Sequence, residues 1–61
     1  MYYISETAPI GSYVCIREDG GELIWWQIRD KQGESFLIKY QDFTRVIPIG
    51  SEIVSWRKHK I

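Results

Sequence analysis

Cysteine and histidine are nearly missing from this chain, which has one of each, Cys15 and His59. A single cysteine forms no internal disulfide. One Cys and one His fall short of the ligand set of a structural zinc site, so no metal or other cofactor is expected. Charge of one sign is missing as well. Eight acidic residues balance eight basic ones, without the positive excess of a general nucleic-acid or membrane coat. No apolar run is long enough for a membrane-spanning helix or a signal peptide. Strong helix signals, internal repeats, linkers and low-complexity segments are also absent. An unpaired cysteine fits a reducing compartment, so the expected location is cytoplasmic. The initial Met reads as the start of a complete small frame.

What the chain does have is aromatic mass in a small space. Its 61 residues include three Trp, four Tyr and two Phe. A domain of this size buries only about 60% of its unfolded surface. Without a disulfide or metal, stability must come from a dense aromatic core or from a second chain.

Residues 1–61 read as a single all-β domain. Short β-rich runs alternate with turn chemistry, the pattern of a small antiparallel fold. The candidate strands are Tyr2–Ile4, Ser12–Arg17, Leu23–Arg29, Ser35–Tyr40 and Glu52–Arg57. Between them lie "APIG", "EDGGE", "DKQGE" and "IPIGS", rich in the Gly, Pro and Asp that turns favour. Gln41-Asp42-Phe43 reads as a short 3₁₀ turn before the last strand.

Side chains alternate faces along a strand. In "ELIWWQIRD" one face carries Ile24, Trp26 and Ile28, and the other carries Leu23, Trp25, Gln27 and Arg29. The wholly apolar face belongs in the core. On the flanking runs Val14, Ile16, Phe36, Ile38 and Tyr40 turn inward. Ile4, Val46 and Val54 complete the expected core, with Trp56 a further candidate. Opposed residues of a hairpin share a face. Pairing Ile16 with Ile24 and Val14 with Trp26 therefore needs an odd loop, Asp19-Gly20-Gly21. Pairing Ile28 with Phe36 and Trp26 with Ile38 needs another, Lys31-Gln32-Gly33. This register sets Trp25 opposite Lys39. It gathers Tyr13, Cys15, Leu23, Trp25 and Leu37 into an apolar patch on the outer side of the sheet.

"IWWQIRDKQGESFLI" resembles the Trp-Trp strand, distal hairpin and next strand of an SH3 domain. "GSYVCIREDGGELIWWQI", followed by "IKYQDFTRV", resembles a Tudor run. The likeness covers roughly residues 11 to 54. It implies a five-stranded antiparallel SH3-like barrel or strongly curved sheet. The SH3 Ala-Leu-Tyr-Asp-Tyr and Pro-x-Asn-Tyr stretches are missing, with Lys39-Tyr40-Gln41 near the place of the second. Thr44-Arg45 replaces the Tudor Gly-Asn. A methyl-lysine cage of Trp26, Tyr40 and Phe43 would also conflict with the inward register of Trp26 and Tyr40. The resemblance therefore supplies a fold and no ligand.

No residue set carries catalysis, and the chain is expected not to be an enzyme. Cys15 and His59 are its only Cys–His pair, and His59 stands in a terminal "RKHKI". Glu18, Asp19 and Glu22 cluster at a hairpin tip, where solvated acids are ordinary. Exposed apolar patches mark binding surfaces, and Trp and Tyr are frequent anchors. The expected role is thus a protein-interaction module that engages its partner through Trp25, Tyr13, Leu23, Leu37 and Cys15. The same patch suits a homodimer. Stand-alone proteins of this size and style resemble those of phages and mobile elements, including inhibitors of host anti-phage defence. The alternative is a nucleic-acid-binding barrel using the basic run Trp56, Arg57, Lys58 and Lys60.

Overall fold

The computed structural model describes residues 2–59. It is all-β, with no helix among the described residues. Seven strands are formed: β1 (Tyr2–Tyr3), β2 (Tyr13–Arg17), β3 (Leu23–Gln32), β4 (Ser35–Tyr40), β5 (Phe43–Pro48), β6 (Glu52–Ile53) and β7 (Ser55–Arg57). Five of them make one antiparallel sheet in the order β5-β4-β3-β2-β7, and β1 pairs separately with β6.

The first hairpin forms as the alternation requires. Ile16 faces Ile24, Cys15 faces Trp25 and Val14 faces Trp26. The loop closes with Glu18 N–H donating to the Glu22 carbonyl at 2.8 Å. Gly21 takes φ +86° there, a conformation that side-chain-bearing residues resist.

The second hairpin departs from the expected register. Its turn is Gly33-Glu34, flanked by the pair Gln32↔Ser35, rather than Lys31-Gln32-Gly33. Gly33 holds φ +63° at the first turn position, where a two-residue Gly-X turn requires it. The parity is restored by a bulge at Arg29, between the pairs Ile28↔Ile38 and Asp30↔Leu37. Ile28 therefore meets Ile38, not Phe36, and Lys39 stands opposite Gln27, not Trp25. On the other side of Ile28, Gly11 N–H donates to its carbonyl and its own N–H donates to Ser12 O, each at 2.8 Å. Two residues thus oppose one on that side as well, a bulge that bends the strand pair.

The turn expected at Gln41-Asp42-Phe43 forms at Gln41-Asp42 as a hairpin turn rather than a 3₁₀ turn, and Phe43 opens an additional strand, β5. Tyr40 pairs directly with Phe43 across the two-residue turn Gln41-Asp42. Alternation along β5 then sends Ile47 inward opposite Phe36 and Val46 outward opposite Leu37. Val46 is 54% exposed and Val54 36%, so neither belongs to the core assigned to them; Ile47 and Ile53 are the buried residues. The last expected strand is split, because Val54 leaves the ladder between β6 and β7.

The core consists of Ile4, Val14, Trp26, Ile28, Phe36, Ile38, Ile47 and Ile53, with Ile16, Ile24 and Tyr40 packed against it. Phe36, Ile28 and Ile38 are fully buried. Each such side chain stabilises the fold by about 1.5–3 kcal/mol. Ile53 of β6 and Ile4, the residue after β1, join the same cluster.

Candidate functional site

The outer face of β2, β3 and β4 is organised in cross-strand rows. In one row Arg57 pairs with Tyr13, Tyr13 with Gln27, Gln27 with Lys39 and Lys39 with Thr44. In the next, Ser55 pairs with Cys15 and Cys15 with Trp25. Polar and basic residues thus run between the aromatic ones. Of the five apolar residues expected to form one patch, Tyr13, Cys15, Trp25 and Leu23 remain neighbours by register. Leu37 is displaced, beyond the Gln27–Lys39 pair and flanked by Asp30 and Val46. The bulge at Arg29 separates Leu37 from Trp25.

Cys15 belongs to this outer face by register, yet it is only 2% exposed. Burial pushes its thiol pKa up, and the charge of Arg17 only partly offsets this. A thiol so placed is a poor nucleophile at neutral pH. It acts as a small buried apolar residue between Trp25 and Ser55.

On the same face lies an open groove of about 650 Å³. Tyr13 of β2, Trp25, Gln27 and Arg29 of β3, and Lys39, Tyr40 and Gln41 at the end of β4 line it. No carboxylate lines it. The Arg57 guanidinium stacks over the Trp25 ring, 5.5 Å from its centroid. Gln27 ties the groove together. Its amide donates to Gly11 O at 3.4 Å and its carbonyl accepts from Arg29 Nη1 at 3.4 Å. Three cations and three aromatic rings therefore converge on one surface of a chain with no net charge.

The inner face ends differently. Trp26 is 3% exposed. The Arg45 guanidinium lies 4.5 Å from its ring centroid, and Tyr40 packs against it at 5.8 Å with a 55° tilt. Arg45 makes a two-pronged bond to Glu18, with Nη2–Oε1 at 2.8 Å and Nη1–Oε2 at 3.2 Å. These bonds hold the Glu18 carboxyl below the usual glutamate range. The buried Trp26 Nε1–H has no partner in hydrogen-bond geometry, although it lies near enough to lower the Glu18 carboxyl slightly further.

The basic terminal run is divided by strand alternation. Trp56 pairs with Val14 and is 50% exposed; it lines a small cleft of about 130 Å³ with Tyr3, Pro9 and Ile53. Arg57, one residue on, pairs with Tyr13 on the outer face. Lys58 follows β7 and is exposed. Lys60 lies outside the described residues. Of the residues now gathered in the groove, the sequence pattern placed Tyr13 and Trp25 together in the apolar patch and Arg57 apart from them in the basic run. It placed Gln27, Arg29 and Lys39 on the outer face without a task, although their shared parity with Trp25 was the available signal.

No protein-family model, no curated protein and no solved structure matches this chain.

Proposed function

We propose that this protein is a non-enzymatic binding module and that its outer groove takes a single-stranded nucleic acid. The observation that carries this reading is the composition of the groove. Arg29, Lys39 and Arg57 supply cations, Tyr13, Trp25 and Tyr40 supply rings, and no acid lines the surface. Single strands are held by this combination, a basic track for the backbone and flat side chains for the bases. Arginine planes also stack on bases, so Arg57 on Trp25 extends the stacking surface outward. Neutrality of the whole chain is compatible with it, because no Asp or Glu lines the groove and the balancing acids stand elsewhere. Of the nucleophilic and acid–base side chains, Cys15 is buried and Glu18 is held in its ion pair.

The test is fluorescence anisotropy of labelled DNA and RNA single strands of roughly ten nucleotides. Three phosphate contacts predict a slope of log K against log salt of about −2, from about −0.7 per contact. Raising salt fourfold should then weaken binding roughly twentyfold. Lys39→Ala should reduce the slope by about 0.7. Absence of binding at low salt for every strand tested removes this reading.

A second reading keeps the surface and changes the partner. Trp25 half-buried beside the 50% exposed Leu23 suits a protein anchor. In that case Trp25→Ala abolishes a salt-insensitive protein complex, and oligonucleotides do not compete. Inhibition of a host defence protein would be one use of such a complex.

A further inference from the structure

We infer that β5 is the contact through which a second copy of this chain joins the sheet. β5 is the outermost strand, paired only with β4. Phe43 pairs with Tyr40 across a two-residue turn. In such a hairpin the pairs that exchange both hydrogen bonds recur at every second residue. The amides of Phe43, Arg45 and Ile47 therefore turn to β4, and those of Thr44 and Val46 turn away. Neither Thr44 nor Val46 makes a backbone bond elsewhere among the described residues.

The strand's own sequence selects its occupant. Two copies can pair antiparallel about an axis at Val46. Val46 N–H then reaches the second copy's Val46 carbonyl, and Thr44 N–H reaches the second copy's Pro48 carbonyl. Both outward amides of each copy are satisfied. Pro48 accepts that bond but has no N–H to return to the Thr44 carbonyl, so the ladder ends there with that carbonyl left to solvent. Arg45 meets the second copy's Ile47 rather than another arginine, so no like charges are opposed. On the outer face the pairing Leu37↔Val46 continues into the second copy as Leu37–Val46–Val46–Leu37. That stripe covers Val46, now 54% exposed, and gives the half-buried Leu37 an apolar neighbour. An arbitrary extended peptide could take the same backbone bonds but would lack the paired valine that completes the apolar stripe.

The axis runs perpendicular to the sheet, so both grooves open on the same side. This last consequence rests on the groove's proposed role; the pairing itself does not. The experiment is sedimentation equilibrium of the full chain without oligonucleotide, across the micromolar to millimolar range. Wild type should show a reversible monomer–dimer equilibrium. Val46→Lys places like charges across the axis and should weaken it by at least about tenfold. A synthetic chain N-methylated at Val46 should do the same, because that amide serves no bond within one copy. Circular dichroism should show both variants folded. A wild type that stays monomeric throughout overturns the proposal. So does a dimer that persists unchanged in both variants, or an edge that accepts unrelated extended peptides as well as its own copy. Oligonucleotide binding by a monomer would leave the function reading standing while this one falls.

Discussion

Trp25 and Trp26 are neighbours in sequence and occupy opposite faces of β3. Trp26 lies at 3% exposure between Tyr40 and the Arg45 guanidinium. Trp25 is half-buried beneath Arg57. Both rings carry an arginine, yet the two arginines differ in what else they hold. Arg45 is tied to Glu18 by two bonds, so its charge is answered and the ring beneath is sealed. No ion pair to Arg57 is formed among the described residues, so its charge remains available at the mouth of the groove. One face spends its cation on closing the core, and the other presents it. The difference shows that exposure of a tryptophan alone says little about function, whereas the partner of the cation above it says more.

The sharpest way to break this contrast is to remove each ring in turn. Trp26→Ala deletes a buried aromatic and should cost about 3–5 kcal/mol. A 61-residue domain has roughly 3–9 kcal/mol in total, so this variant should be largely unfolded in urea titrations. Trp25→Ala should leave a cooperative transition while weakening oligonucleotide binding by about 5–150-fold, the worth of one stacked base. If Trp25→Ala unfolds the protein and Trp26→Ala does not, the assignment of faces is wrong.

A smaller effect is expected at the turn joining β4 to β5. Gln41 has φ +53°, the one non-glycine residue with positive φ among those described. A left-handed residue with a side chain costs roughly 1–2 kcal/mol. Gln41→Gly should therefore raise stability by up to about 1 kcal/mol, after its own entropic cost, measured as a higher urea midpoint at constant m-value.

The smallest effect belongs to the Glu18–Arg45 pair. Arg45 is 42% exposed and Glu18 20%, so solvent screening limits the pair to about 0.2–1 kcal/mol. Its pH signature is still specific. The Glu18 pKa is lower in the folded than in the unfolded protein. Its contribution is complete above the unfolded value of about 4.3 and is lost as pH falls through the lowered folded value. Glu18→Gln should flatten that acid limb of a stability–pH profile and leave the neutral region within about 1 kcal/mol of wild type. An unchanged acid limb would mean the pair contributes nothing.

The legible parts of the fold were those where apolar alternation and turn chemistry agreed. The β2–β3 hairpin had Val14, Ile16, Ile24 and Trp26 on one side of a Gly-Gly loop, and its register followed. Past Ile28 the agreement ended. Arg29, Asp30, Lys31 and Gln32 are all polar, so alternation had nothing left to align, and a bulge moved the pairing unseen. β5 was not read as a strand: Phe43 was assigned to the turn before it and Ile47-Pro48 to the turn after it, and an inward Arg45 broke the apolar alternation between them. Only its contact with Glu18 and Trp26, made across the sheet, explains an arginine there. The candidate site suffered from the same bulge. Trp25 and Tyr13 were legible as members of one outer patch, with Lys39 beside Trp25. Arg57 was read apart from them in the terminal basic run, because its pairing with Tyr13 depends on a β2–β7 register that the sequence pattern did not define.

The three tryptophans stand at three depths: Trp26 at 3% exposure, Trp25 half-buried, and Trp56 at 50%. The protein is therefore its own optical depth gauge. Red-edge excitation and acrylamide quenching sort the three emitters without any attached dye. A ligand entering the groove dims the middle emitter. Loss of the Arg45 lid reddens the deepest one, and movement at the β7 edge registers on the shallowest.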